Sequence, residues 1–184
     1  WLEEQEKFSS RIRVFRAEQA MGNTAMLNQL SQQSEGEYLI VLDAQSQVVN
    51  VGWIESMLNQ AQRPEVGVVG VKLIDRDGTV TQAGLILGFN GGVGSAFVGE
   101  SKQSSGYMRR LIVEQNCSAV SMNCLMISKT LFNAIGGLDD GEFIEAFADV
   151  DLCLKASEAG YLTVWTPQVQ VVHPGKVPQS PVAL

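Results

Sequence analysis

The sequence predicts an α/β fold, a mostly parallel sheet flanked by helices, on three observations. Short apolar runs with β-branched centres, Tyr38 to Leu42 and Val66 to Val71, are bounded by turn-forming residues and read as buried strands. Between them lie stretches whose apolar residues recur at helical spacing, and alternation of strand and helix is the pattern of a parallel sheet. With 184 residues and 45% hydrophobic content the chain can bury one real core, so a single compact domain is expected.

Taken in order, residues 2–8 read as the tail of a helix, and Arg11-Ile12-Arg13-Val14-Phe15-Arg16 alternates polar and apolar as a strand does. Asn23 or Thr24 then offers a cap for a helix carrying Met26, Leu27 and Leu30 and ending at Gly36, which completes a strand-helix-strand unit with the strand that ends at Asp43. Residues 52–60 form a second helix, with Trp53, Ile54, Met57 and Leu58 at helical spacing and Pro64 as its stop. Val66 to Val71 is a buried strand, Asp75-Arg76-Asp77-Gly78 a turn, and Val80 to Leu87 a further strand. The Gly- and Ser-rich stretch 88–106 reads as a mobile loop.

Asn116 to Ser128 reads as a central strand leading into a short helix over 129–134, and Gly136 to Gly141 as a turn-rich break. Phe143, Phe147, Val150 and Leu154 then mark one apolar helical face, which would turn Asp149 away from the core and leave Asp151 at its edge, four residues before Lys155. Gly160 ends that helix. Residues 161–166 and 169–172 read as two short strands closed by His173-Pro174-Gly175, and residues 176–184 as a loose tail after a domain spanning 1–175.

A net charge of -7 argues against a general binder of nucleic acid or of anionic membranes, since both demand a basic surface. The one close cationic cluster, Lys102 with Arg109 and Arg110, reads as a solvated loop that still permits a local basic patch. Cys117, Cys124 and Cys153 lack paired C-x-x-C spacing, which fits buried thiols in a reducing compartment and not a disulfide or zinc framework. No apolar run approaches the roughly 20 residues of a membrane span, and the start carries no signal-peptide pattern. The first residue is Trp1 and not Met, so a piece of a longer protein is expected.

Three groups stand at element ends, where α/β sites are built. Asp43 follows a strand, Asp149 stands near a helix start, and His173, the only histidine, follows a late strand. Each has a structural alternative: a turn-forming or capping Asp, an Asp complementing a helix dipole, or a histidine satisfied by packing. Two phosphate-binding signatures fail. Gly94 to Ser101 has Walker spacing, but Glu100 occupies the lysine position and would repel phosphate; no G-x-G-x-x-G follows a strand.

Successive blocks nevertheless carry a family pattern: Asn23 and Asn28 ahead of Gly36 to Asp43, then Gly52-Trp53-Ile54, Pro64 to Gly70, Gln82-Ala83-Gly84, Ile135 to Asp139, Asp149-Val150-Asp151-Leu152-Cys153-Leu154-Lys155, Ala159-Gly160-Tyr161 and Trp165-Thr166-Pro167. From about Arg11 to Gly175 the chain resembles family 2 glycosyltransferases, in the GT-A fold branch that includes O-antigen and rhamnosyl transferases. The resemblance implies transfer of a sugar from a nucleotide-diphosphate-sugar donor to a hydroxyl of a saccharide acceptor, with inversion, in polysaccharide biosynthesis. It implies Mg or Mn to neutralise the departing diphosphate and a carboxylate to take the acceptor proton. Carried over by position, Asp43 falls on the first Asp of the D-x-D motif that binds metal and diphosphate, Asp149 on the general base, and His173 on the late histidine that completes the metal site. Gln45 and Asn123 fall beside the donor. A cytoplasmic location, reaching to the inner membrane surface, goes with this reading.

The chain also departs from the family's pattern. Gln45 replaces the second Asp of D-x-D, Ala148 precedes the base where an acidic residue or Asn is usual, Gln82 and Ser95 stand where relatives often carry His, Met122 and Asn123 replace small residues beside the donor sugar, and Pro174-Gly175 replace His-Glu. These substitutions motivate an alternative, a non-catalytic carbohydrate-binding or assembly module. The family's first βαβ unit, which holds the nucleotide base, has no counterpart before Trp1. The fold is therefore expected to lack that unit and to leave a sheet edge for the missing part or another chain to cover.

Overall fold

The computed structural model describes residues 2–16, 21–89, 91–141 and 147–174. Its centre is a strand in which all nine residues are buried, β3 (Val66–Ile74). Side chains alternate across it, so Val69, Val71 and Leu73 enter one apolar cluster while Val68 and Ile74 enter another on the opposite face. A strand buried on both faces cannot alternate polar with apolar. That is why it reads as a continuous run.

Around it the sheet is ordered β1-β8-β3-β9-β2, with β1 (Tyr38–Leu42), β8 (Cys124–Ser128), β9 (Leu162–Val172) and β2 (Gln47–Val48). Two further short strands attach, β4 (Val80–Gln82) to β3 and β7 (Gln115–Asn116) to β9. β3 and β9 pair parallel, whereas β8 lies antiparallel between β1 and β3. The principal strands β1, β3 and β9 therefore run the same way and deliver their carboxyl ends to one rim. Helix α3 (Trp53–Ala61) packs Met57 and Ala61 on one face of the sheet. Helices α4 (Lys129–Ala134) and α5 (Ala148–Glu158) cover the other through Leu131, Phe132, Val150, Leu152 and Cys153. Helices α1 (Leu2–Phe8) and α2 (Asn23–Gln33) precede the sheet.

Several local expectations are corrected. Residues 11–16 form no strand: they bury no apolar face, Val14 N–H donates to the Glu6 side chain at 2.9 Å, and Arg13 reaches the carbonyl of Gln33 at 2.9 Å. The alternation had no partner strand to use, so there is no strand-helix-strand unit there and β1 pairs with β8 instead. Helix α2 takes Gly22 as its N-cap, without a side-chain cap, and ends at Gln33. The run from Val80 breaks after β4, because Gly84 adopts a φ of 78° that ends the extended backbone, and resumes as β5 (Ile86–Phe89), which pairs with β6 (Gly92–Gly94). The Gly/Ser-rich stretch is thus partly a hairpin, and Gly99 and Glu100 are tied to Val80, and Lys102 to Gly78, by backbone hydrogen bonds. The strand expected over 116–128 is broken, with Asn116 ending β7 and Cys124–Ser128 forming β8, and 162–172 is one strand with a shift in register between Val71 and Lys72 that accommodates Pro167.

The face assigned to α5 is also wrong, with consequences for the site. Phe147 sits before the helix with φ 65°, so it lies off the helical register, and Leu154 is 40% exposed. The buried positions are Ala148, Val150, Leu152, Cys153 and Ala156, which turns Asp149 inward. Asp151 remains at the edge and pairs with Lys155 at 2.7 Å. Phe143 and the tail 175–184 lie outside the described residues. All three cysteines are free; Cys124 and Cys153 are buried, and Cys117 is partly so.

Candidate active site

The rim where β1, β3 and β9 end gathers the residues singled out from the sequence. β1 stops at Leu42 and the chain turns at once. Asp43 Oδ1 accepts from the N–H of Gln45 at 2.8 Å, and the Asp43 carbonyl accepts from Ser46 N–H at 2.9 Å. This Asx-type turn is the structural role open to any Asp after a strand. It also returns the chain to β2, which pairs with Val171 and Val172 at the end of β9. The next residue on β9's side is His173, whose N–H donates to Ile74 O at 2.9 Å and so fixes it over the end of β3.

Asp43 Oδ1 and His173 Nε2 are therefore 3.1 Å apart, although 130 positions separate them in sequence. Asn123 closes the group from the start of β8, which, being antiparallel, begins at this rim. Its carbonyl accepts from Asp43 N–H at 3.0 Å and from Ser46 Oγ at 3.1 Å, and its side-chain amide lies 3.4 Å from His173 Nδ1. With the amide nitrogen facing Nδ1, Asn123 donates to that ring nitrogen, which puts the imidazole proton on Nε2, where it donates to the Asp43 carboxylate; a metal ion at Nε2 would take the place of that proton.

Asp149 enters from the first turn of α5. One carboxylate oxygen accepts from Met122 N–H at 3.3 Å and the other from Val150 N–H at 2.9 Å. Met122 adjoins Asn123, so the segment 121–123 contacts all three predicted residues. Burial pushes the Asp149 carboxyl above its ordinary 3.8, against the backbone hydrogen bonds that favour its charge. A carboxylate raised in this way is a better proton acceptor at neutral pH than an exposed one. Gln45 is exposed on the turn. Ser46, which the sequence reading passed over, joins the group; its only sequence signal was its place three residues after Asp43.

Among the described residues no three His, Cys, Asp or Glu side chains cluster as a metal site. The pair that is present does fit a divalent ion as two of its ligands. Adjacent donors on an octahedron with bonds of about 2.1 Å stand about 3 Å apart, the spacing of Asp43 Oδ1 and His173 Nε2. Such ions commonly take one or two protein ligands and complete their shell with water and phosphate oxygens.

The mixed sheet layered by helices, with an acidic residue at the end of β1 and a histidine at the end of β9, is the arrangement of a GT-A fold. Solved structures agree on that fold. The crystal structure of GalNAc-T7 with UDP, GalNAc and Mn2+ matches with a TM-score of 0.73 at 18% identity, over 96% of this chain and 35% of that one. Mannosyltransferase PcManGT from Pyrobaculum calidifontis, in complex with GDP-Man and Mn2+, matches at 0.65 and 14% identity, over 98% and 44%. The family model for glycosyl transferase family 2 matches residues 1–136, and the chain belongs to that family.

Relatives in sequence include the uncharacterized protein y4gI of Sinorhizobium fredii, 38% identical over 94% of this chain and 19% of its own length. O-antigen biosynthesis protein RfbC of Myxococcus xanthus is 33% identical over 81% and 12%. The N-acetylglucosaminyl-diphospho-decaprenol L-rhamnosyltransferase of Mycobacterium tuberculosis is 29% identical over 66% and 42%. The chain thus spans less than half the length of each of these relatives. No helix among the described residues is long and apolar enough to cross a membrane.

Proposed function

We propose that this chain carries the catalytic carboxylate and part of the donor site of an inverting glycosyltransferase, which moves a sugar from a nucleoside-diphosphate sugar to a hydroxyl of a saccharide acceptor. The single observation that supports it is the convergence of Asp43, Asn123, His173 and Asp149 on one rim of the sheet. In the reaction, Asp149 takes the proton of the acceptor hydroxyl as that oxygen bonds to the anomeric carbon. The bond to the diphosphate oxygen breaks and its electron pair leaves with the diphosphate. Asp43 and His173 would hold Mg or Mn, whose charge would neutralise the departing diphosphate. Asn123 orients His173, and Gln45 and Asn123 border the donor.

The relative with diphospho-decaprenol in its name supports an acceptor saccharide carried on a lipid, and the O-antigen biosynthesis relative supports a role in polysaccharide assembly. A lipid-carried acceptor would put the work at a membrane surface, which we assign to the cytoplasmic side of the inner membrane. The outer flank of β1 pairs with no described strand, and its residues are only half-buried, which supports pairing with a further part of the protein or another chain. Isothermal calorimetry on the complete protein with uridine and guanosine diphosphate sugars tests the proposal. Saturable binding that requires Mn and weakens in Asp43→Ala is expected. Metal-independent binding, or none across the panel, would favour the non-catalytic alternative.

A further inference from the structure

A short turn outside the candidate active site exposes four large apolar side chains. Tyr107 and Met108 are 75% and 76% exposed, and Ile112 and Val113 are 43% and 44% exposed. Two exposed arginines, Arg109 and Arg110, stand between them. A loop meant only for water has no use for four large apolar side chains in seven residues, and such contiguous patches mark interaction sites.

The turn is built to hold this surface out. Met108 and Arg109 take left-handed backbone conformations, φ 51° and 63°, which non-glycine residues keep only where their surroundings impose them. Here the surroundings are specific. Arg109 N–H donates to Gly106 O, Arg110 N–H to Tyr107 O, Ile112 N–H to Arg109 O and Leu111 N–H to Ser105 O. Leu111, fully buried, anchors the middle of the turn in the core, and the buried ammonium of Lys72 donates to its carbonyl at 2.8 Å. Arg110 Nε donates to Gln115 at 2.6 Å, and the same arginine lines a cavity of about 460 Å³ with Phe97, Gln115, Asn116 and Trp165. The neighbouring acid, Glu114, lies at 3.5 Å from the Thr166 hydroxyl, and no ion pair joins an acidic group to Arg109 or Arg110 among the described residues.

We propose that the turn 107–113 is a docking patch for an anionic phospholipid surface. Charge complementarity selects this occupant: in a chain of net charge -7, two adjacent arginines, unpaired with acids among the described residues, are set among exposed apolar side chains. Interfacial segments have this make-up, with apolar side chains entering the headgroup boundary while cations meet the lipid phosphates. Four partly exposed side chains and two charges give weak, reversible attachment, and the net acidity of the remaining surface keeps the other faces off the bilayer. The inference rests on the proposed membrane-surface location and names the residues that would produce it.

The test is co-sedimentation of the 184-residue chain with vesicles of phosphatidylcholine alone or with added phosphatidylglycerol, for wild type, Arg109→Glu and the double variant Met108→Ser, Ile112→Ser. These side chains are exposed, and circular dichroism checks that each variant keeps its fold. Partition onto the anionic vesicles should exceed that onto the neutral ones, fall with salt, and drop roughly tenfold in Arg109→Glu. The double variant should also lose binding. No sedimentation of wild type, or binding unchanged in both variants, overturns the proposal. So does a dimer in analytical ultracentrifugation without vesicles that the same variants abolish, since the patch would then join two copies of the chain. Donor calorimetry on the complete protein separates the two readings: retained donor binding there without vesicle binding removes only the patch, and vesicle binding without donor binding removes only the donor site.

Discussion

Replacing Asp149 by asparagine tests both the site and its electrostatics, and the structure sets the size of the effect. The carboxylate uses its two oxygens separately, one for Met122 N–H and one for Val150 N–H. An asparagine side chain offers a single carbonyl oxygen, so one of these N–H groups loses its acceptor and faces an amide NH2. Leaving such a buried donor unpaired costs about 1–3 kcal/mol. Against this stands a gain that depends on pH. Burial holds the wild-type carboxyl above 3.8, so the folded protein keeps a proton that the unfolded chain has already released. Wild-type stability from this group is fully present below the unfolded value and is lost as pH rises through the folded one, at no more than about 1.4 kcal/mol per pH unit for one proton. The amide that replaces it in Asp149→Asn carries no such proton. The variant's deficit should therefore be largest in acid and shrink as pH climbs through the window that opens near 3.8. Urea unfolding of both proteins at a series of pH values measures it, and a difference that stays constant or widens would refute the assignment of burial as the dominant cause. In the complete protein the same substitution should slow transfer by roughly 10²–10⁴-fold, the usual contribution of a general base, with donor binding retained. Unchanged turnover would remove Asp149 from that role.

Two further perturbations probe how the sheet supports the rim. A Cβ on Gly70 would lie 2.3 Å from Val120 Cβ and 2.4 Å from its Cγ1, so Gly70→Ala must displace the residue that leads into Ser121-Met122-Asn123. A loss of about 1–3 kcal/mol in urea unfolding is expected, together with weaker donor binding by calorimetry. Burial lowers the pKa of Lys72 below 10.5, so the unfolded chain holds a proton there that the folded one has lost, and this group adds stability as pH rises toward 10.5. Lys72→Met should abolish that rise. The difference between the two unfolding curves isolates it from Cys117, Cys124 and Cys153, whose thiols burial pushes up to about 12 and which therefore lose stability above pH 9.

What was legible in the sequence was what local pattern dictates. β3 and α4 follow from continuous apolar burial and from the Ser128 cap that accepts Leu131 N–H. The block order pointed to the residues at the rim because a strand end and a helix start are local features. What failed needed the third dimension. Residues 11–16 had the alternation of a strand but no neighbour to pair with. The face of α5 was misread because Phe147, taken as a helical position, stands in a left-handed conformation outside the helix, which shifts the frame by which Asp149 was judged to point outward. Ser46 and the N–H of Met122 were invisible for a different reason: backbone donors and a lone hydroxyl gain meaning only from what folds against them.

The family's departures can now be weighed by what the replacing side chains do. Ser95 is buried, accepts from Ala83 N–H at 2.8 Å and donates to Ala96 O at 3.2 Å, so it closes the backbone after β4. Ala148, the first residue of α5, is buried in the core. Those two positions have been taken over by packing, whereas Gln82, enclosed at 1% exposure, keeps a side-chain nitrogen without a hydrogen-bond partner among the described residues. Asp43, His173, Asn123 and Asp149 have not been taken over: each keeps polar partners at the rim, and Asp149, half-buried, holds its carboxylate on two backbone N–H groups. A site abandoned by function has no physical reason to retain a half-buried carboxylate of raised pKa while its neighbours turn into core. The change that would bear on the proposed chemistry is Gln45, which leaves Asp43 and His173 as the side chains to hold a divalent ion. On the proposed function this weakens the seat for a divalent ion and leaves Asp149, the proposed base, in place, so the expected consequence is a higher demand for metal with the transfer step itself preserved.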